Sequence, residues 1–123
     1  RHSLKMANSL HMSLLRYLLM NKIFTDNGWK DYVYWQTEDR KTIKKINQLI
    51  EDIARNGNEG IGKPEPLTGN LTGFWSRRIN DKDRLIYRTD ENNVYILACR
   101  YHKRPAVVRR ASEIYFQFCL IHF

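Results

Sequence analysis

Five aliphatic residues, Ile43, Ile46, Leu49, Ile50 and Ile53, fall at helical spacing and constrain the architecture more than any other feature of the chain. They form one apolar stripe on an otherwise polar segment, so this helix must lie against a core. Asn56-Gly57 stops it, because glycine takes the left-handed conformation of a C-terminal cap without steric cost. Past that stop the period changes. "GFWSRRI" (73–79), "RLIYRT" (84–89) and "NVYILACRYH" (93–102) read as strands, separated by the turn-formers "NDKD" and "DENN". Upstream, "MNKIF" (20–24) reads as a short strand. Asp26 or Asn27 then caps a helix on which Trp29, Tyr32, Val33 and Gln36 share a face. Thr37 is the expected cap of the stripe-bearing helix, with Glu38 and Asp39 favourable at its positive end. Helices first and strands last, with short links, predict an α+β domain: an antiparallel sheet with helices on one face.

A chain of 123 residues suits one domain, and 42% hydrophobic residues supply a core. The net charge of +8 favours a polyanionic partner, nucleic acid or an anionic membrane. Much of that charge sits in the flanks outside residues 20–103, so the central part is only mildly basic. Cys99 and Cys119 do not make a disulfide framework; Cys99 reads as a reduced core residue, and the cytoplasm as the default compartment. "SLLRYLLM" is too short and too interrupted by Arg16 to span a membrane.

The glycine-rich loop "NGNEGIGKPEPLTGN" (56–70) is where the chemistry concentrates. Gly57 to Lys63 spells G-x-x-x-x-G-K, but Pro64 stands where a nucleotide-binding loop needs Ser or Thr and a helix start. Residues before proline favour extended backbone, so the segment is expected to run as a stiff strut presenting Glu65. The plain alternative is a solvated acid in a rigid turn. Arg77, Arg78, Arg84, Arg88 and Arg100 follow on the strands; they suit phosphate oxygens, or are simply solvated strand-face charges. His102, the one histidine within 20–103, ends the last strand. A carboxylate, arginines and a histidine are the minimum parts for RNA cleavage: a base for the 2′-hydroxyl, cations for the phosphorane, an acid for the leaving 5′-oxygen. Unperturbed pKa values of about 4.3 and 6.5 suit Glu65 as base and His102 as acid. One histidine and one buried-looking cysteine do not make a metal site, and no cofactor is expected.

"WKDYVYWQ", "KKINQLIEDIARN", "EGIGKPEPLTGNLTGFWSRRINDKDRLIYR" and "ACRYH" closely resemble the YoeB (Txe) branch of the RelE toxin superfamily, from Met20 to His102 and in the right order. The resemblance implies a RelE-like fold, a small antiparallel sheet with two N-terminal helices packed on one face. It implies a toxin of a type II toxin–antitoxin system: a metal-independent, ribosome-dependent mRNA endonuclease that cuts mRNA in the ribosomal A site. Its implied partners are mRNA, the ribosome and a YefM-like antitoxin, and it allows a homodimer. Residue by residue it assigns the general base to Glu65, phosphate stabilisation to Arg84 and the general acid to His102. Lys63 and Arg78 would help hold RNA, with Arg77 and Lys103 beside them. The family normally ends in a tyrosine directly after the histidine; Lys103 stands there instead, and 20 further residues follow. Three parts are therefore expected: an N-terminal extension (1–19) read as vector-derived or from an upstream start, the toxin domain (20–103), and an atypical C-terminal extension (104–123) whose apolar end should be covered. The alternative is a catalytically impaired interaction module that still binds antitoxin.

The strand hairpin around "DENN" carries a geometric expectation. A two-residue loop pairs Asp90 with Asn93 and Arg84 with Cys99, opposite in face to His102. A three-residue loop pairs Asp90 with Val94 and Arg84 with Arg100, sharing a face with His102. A joint Arg84–His102 site requires the second arrangement.

Overall fold

The computed structural model describes residues 2–100, with side chains from residue 11 onward. His102, Lys103 and the 104–123 extension lie outside the described residues. Three helices, α1 (His2–Leu19), α2 (Asp26–Glu38) and α3 (Arg40–Asn56), accompany five strands: β1 (Asn21–Phe24), β2 (Glu65–Pro66), β3 (Trp75–Arg78), β4 (Arg84–Thr89) and β5 (Asn93–Ala98). A short 3₁₀ turn, Gly69–Leu71, lies between β2 and β3.

The sheet order is β1-β5-β4-β3-β2. β2 to β5 form the expected antiparallel meander. β1 joins its edge parallel to β5, which makes the sheet mixed. The chain arrives there through Asn21, whose N–H donates to Asn92 O at 2.8 Å.

Helix α3 is set by its stripe. Ile46, Leu49, Ile50 and Ile53 are buried against Leu85, Tyr87, Val94 and Ile96 of the sheet. Each such side chain contributes about 1.5–3 kcal/mol relative to exposure. Gly57 closes the helix at φ 67°, its N–H donating to Ile53 O at 2.8 Å. The N-terminal caps differ from expectation by one or two residues. Thr25, not Asp26 or Asn27, caps α2, because its Oγ1 accepts from Gly28 N at 3.0 Å. Asp39, not Thr37, caps α3, its Oδ1 accepting from Lys41 N at 3.0 Å. Thr37 lies within the last turn of α2, which runs on to Glu38.

Of the expected α2 face, Trp29, Val33 and Gln36 look outward, while Tyr32 is half-buried and packs on the core. Trp29 packs there against the rings of Phe24 and Tyr32. The inward face is Gly28, Asp31 and Trp35, which meet the end of β5. The N-terminal extension is α1, packed on α3, with Tyr17 against the core and Leu14, Leu18 and Leu19 exposed.

The hairpin resolves the register in a way neither simple alternative foresaw. At its tip the loop is Glu91-Asn92: Asp90 N–H donates to Asn93 O at 3.0 Å, and Thr89, Arg88 and Tyr87 pair with Val94, Tyr95 and Ile96. The three-residue loop is therefore not formed. The Asp90 carboxylate favours the shorter loop by accepting from the Asn92 and Asn93 N–H groups. A bulge then slips the register, and Ile86 pairs with Ala98. Leu97 and Ala98, adjacent in sequence, thereby pack into the same cluster with Leu71, Phe74 and Ile86, while Cys99 returns to the main core. The pairing of β4 with β5 ends there, at Ala98.

Candidate active-site face

Strand alternation divides the central arginines. Trp75, Arg77, Leu85 and Tyr87 face the helices. Ser76, Arg78, Arg84 and Ile86 face the other way, onto the sheet surface opposite the described helices. Glu65 pairs with Ser76 and so belongs to that face. Arg78 lies two residues along β3 from Ser76 and pairs with Arg84. At about 4.8 Å between strands and 3.3 Å per residue, the Glu65 and Arg84 α-carbons stand about 12 Å apart. Two long side chains reaching inward over that span leave room for a phosphodiester between carboxylate and guanidinium. Glu65 and Arg78 are exposed and Arg84 is half-buried.

Arg84 is anchored at one nitrogen. Its Nη1 donates to Asn80 O at 2.7 Å and to Asp83 O at 3.0 Å. That turn is itself braced, since Asn80 Oδ1 accepts from the N–H groups of Lys82 and Asp83, each at 2.8 Å. The "NDKD" turn thus fixes the direction of the Arg84 fork. Arg88, further along β4, has its guanidinium 4.0 Å from the centroid of the Tyr95 ring.

Arg77 does not belong to the RNA-binding set. It is fully buried, and all five of its N–H donors are engaged inside the protein. Nε donates to Tyr87 OH, Nη1 to Asp52 and Ile61 O, and Nη2 to Gly57 O and Glu59 O. Neighbours on a strand point to opposite faces, so Arg77 and Arg78 could never have shared one surface.

The glycine-rich loop is organised around this buried guanidinium. Its carbonyls turn inward to Arg77, whereas a phosphate loop turns N–H groups outward to an anion. Asp52 completes the cage, accepting also from Ile61 N at 3.1 Å and Asn56 Nδ2 at 2.8 Å. Partial burial pushes the Asp52 carboxyl up, but the hydrogen bonds from Arg77, Asn56 and Ile61 outweigh it and hold it below the usual carboxylate range. Gly60 is required by close approach, since a Cβ there would stand 2.0 Å from Asp52 Oδ2. The strut is extended at Glu65 and Pro66, which are β2, but not at Lys63, whose φ of 51° is left-handed. The chain has to turn there, because Gly62 O is already held by Arg78 N at 2.7 Å. Lys63 is exposed at that corner.

Sequence reasoning missed Asp31, Trp35 and Asp52. Asp31 Oδ2 accepts from Cys99 N at 3.1 Å, and Trp35 Nε1 donates to Cys99 O at 2.7 Å. Their i, i+4 spacing was the available signal, because it puts both on one helix face. Burial pushes the Asp31 carboxyl up to about 6, partly offset by the Cys99 N–H and by Arg100. Cys99 is a free, buried thiol, pushed well above its ordinary value by desolvation. Among the described residues, no group of His, Cys, Asp and Glu is arranged to hold a metal, and no helix is long and apolar enough to cross a membrane.

The family model for YoeB-like toxins of bacterial type II toxin–antitoxin systems matches residues 24–103. A Toxin YoeB from Streptomyces coelicolor is 53% identical over 83 residues, spanning 68% of this chain and 99% of that relative. A YoeB–YefM complex from Staphylococcus aureus contains a chain of TM-score 0.64 and 50% identity, with 68% of this chain and 97% of that one covered. A YoeB dimer from the same organism gives a TM-score of 0.65 at 50% identity, covering 68% and 98%. Fold and likeness together define a RelE-like α+β toxin. Within that class, the chain belongs to the YoeB-like family of type II toxin–antitoxin toxins.

Proposed function

We propose that this toxin is a metal-independent endoribonuclease that enters the ribosomal A site and cuts the mRNA there, stopping translation. The supporting observation is the grouping of Glu65, Arg78 and Arg84 on the sheet face opposite the helices. In this reading Glu65 removes the 2′-hydroxyl proton and Arg84 stabilises the charge of the phosphorane. His102 protonates the leaving 5′-oxygen. Lys63, Arg78 and Lys103 hold the RNA backbone.

A YefM-like antitoxin would neutralise the protein, by likeness to the Staphylococcus aureus complex, and a homodimer is proposed by likeness to the YoeB dimer. The proposed site of action is the cytoplasm, where ribosomes and mRNA are. Lys103 and the following residues favour a second reading, an antitoxin-binding module with impaired catalysis.

Mapping of mRNA ends in a purified translating system tests both, with the full chain and with a version ending at Lys103. Cuts at A-site codons by the full chain support the nuclease; no cuts by either version support the binding module. Cuts by the shortened version alone make the extension inhibitory. His102→Gln should lower cleavage by about 10²-fold or more, and Glu65→Gln should also be impaired. Unchanged cleavage in both variants would refute the residue assignment.

A further inference from the structure

β5 stops pairing at Ala98, four residues before His102. The next residue, Cys99, has both backbone polar groups bound by side chains of a single helix. Asp31 accepts its N–H and Trp35 donates to its C=O. The neighbouring residues are held from the same side. The Arg100 guanidinium carbon lies 3.5 Å from the centroid of the Tyr34 ring. Thr25 Oγ1 donates to Leu97 O at 3.0 Å, and a Cβ on Gly28 would come within 2.4 Å of Ile96 O. Thr25 and helix α2 therefore hold Ile96, Leu97, Cys99 and Arg100 from one side. The charged groups facing Asp31 are Arg100 beside it and Asp83 from the β3–β4 turn. Withdrawing a carboxylate from water to hold one peptide N–H costs stability. A fold that needed only a strand end could leave that N–H to solvent.

We infer, on the basis of the ribonuclease reading above, that Asp31 and Trp35 are positioning residues: by fixing the Cys99 peptide they hold the point from which the chain continues to His102. They touch neither RNA nor the reacting atoms. Their effect is on where the proton donor stands.

The test is single-turnover mRNA cleavage by the full-length protein on excess programmed ribosomes, normalised to the folded fraction. Trp35→Phe keeps an aromatic ring and removes the Nε1 donor. Asp31→Ala removes the acceptor, and Asp31→Asn keeps an acceptor oxygen. Trp35→Phe and Asp31→Ala should cut about 10- to 100-fold more slowly per folded molecule, since about 1 Å of misplacement costs that much. Ribosome affinity should be unchanged, and Asp31→Asn should restore most of the rate lost in Asp31→Ala. Wild-type rates per folded molecule in Trp35→Phe and Asp31→Ala, with His102→Gln inactive, would overturn the positioning role and leave the nuclease reading standing. Equal loss in Asp31→Asn and Asp31→Ala would overturn it as well, because the hydrogen bond would then not be what matters. A wild-type chain that does not cut would bring down the nuclease reading, and the positioning role with it.

Discussion

Arg77 shows how strongly environment decides what one side chain does. In sequence it is one of two adjacent arginines. In the fold it is a buried cation whose five donors organise a loop, while Arg78 next door is exposed. Arg77→Met should therefore cost about 3–5 kcal/mol in urea unfolding, because Asp52 and three carbonyls lose their partner together. Arg77→Lys should recover only part of this, having three donors on a compact ammonium instead of a fork. Glu65 behaves oppositely. It is exposed, so Glu65→Gln should leave the unfolding midpoint within about 0.5 kcal/mol of wild type while impairing cleavage. A matching loss of stability and activity in that variant would argue for a structural Glu65.

At the scale of elements, α3 and β4 were legible because their periods are strong and unbroken. Ile46, Leu49, Ile50 and Ile53 of the α3 stripe are buried as spaced, with Ile43 half-buried at its start, and β4 spans the residues expected of it. Helix α2 was harder. Its apolar residues are split, with Trp29 and Val33 exposed and Tyr32 and Trp35 packed on the core, and its inner face also carries a glycine and a carboxylate that meet the end of β5. No periodicity of apolar residues reveals that. Gly28→Ala should cost about 1–3 kcal/mol, since its Cβ would strike a backbone carbonyl that cannot swing away. The check is thermal unfolding of the variant; a change under about 0.5 kcal/mol would mean that α2 shifts freely on β5. The β5 bulge was equally hidden. "VYILAC" reads as one apolar run, and only the two clusters on opposite faces of the sheet decide that Ile96 goes to one and Leu97 and Ala98 to the other.

For the whole molecule, two carboxylates give the stability opposite pH dependences. Asp52 is held below its unfolded value of 3.8, so its contribution is present above that value and is lost as pH falls through the lower folded pKa. Asp31 is raised from 3.8 to about 6, so the fold favours its protonated form; that advantage is full below 3.8 and is lost as pH rises through about 6. Asp31→Asn should accordingly gain on wild type between about pH 6 and 8 and lose that gain below about pH 4, by thermal unfolding at several pH values. Asp52→Asn should be less stable than wild type at neutral pH, with the gap narrowing in acid. The sequence by itself determined the class of fold, the order of elements and the family, because hydrophobic periods, glycine stops and a long shared motif are local properties of the chain. Through the family resemblance it also named Glu65, Arg84 and His102 as the catalytic set, with Lys63, Arg77, Arg78 and Lys103 to hold RNA. What only the tertiary structure decided was which of the charged residues are occupied elsewhere. The glycine-rich loop faces inward to Arg77 and Asp52, Glu65 shares a sheet face with Arg78 and Arg84 through strand register, and a bulge sends Leu97 and Ala98 to one cluster and Ile96 to the other. Each depends on a partner 10 or more residues away in sequence, and pairing across such distances is settled by packing and hydrogen bonding, not by local preference.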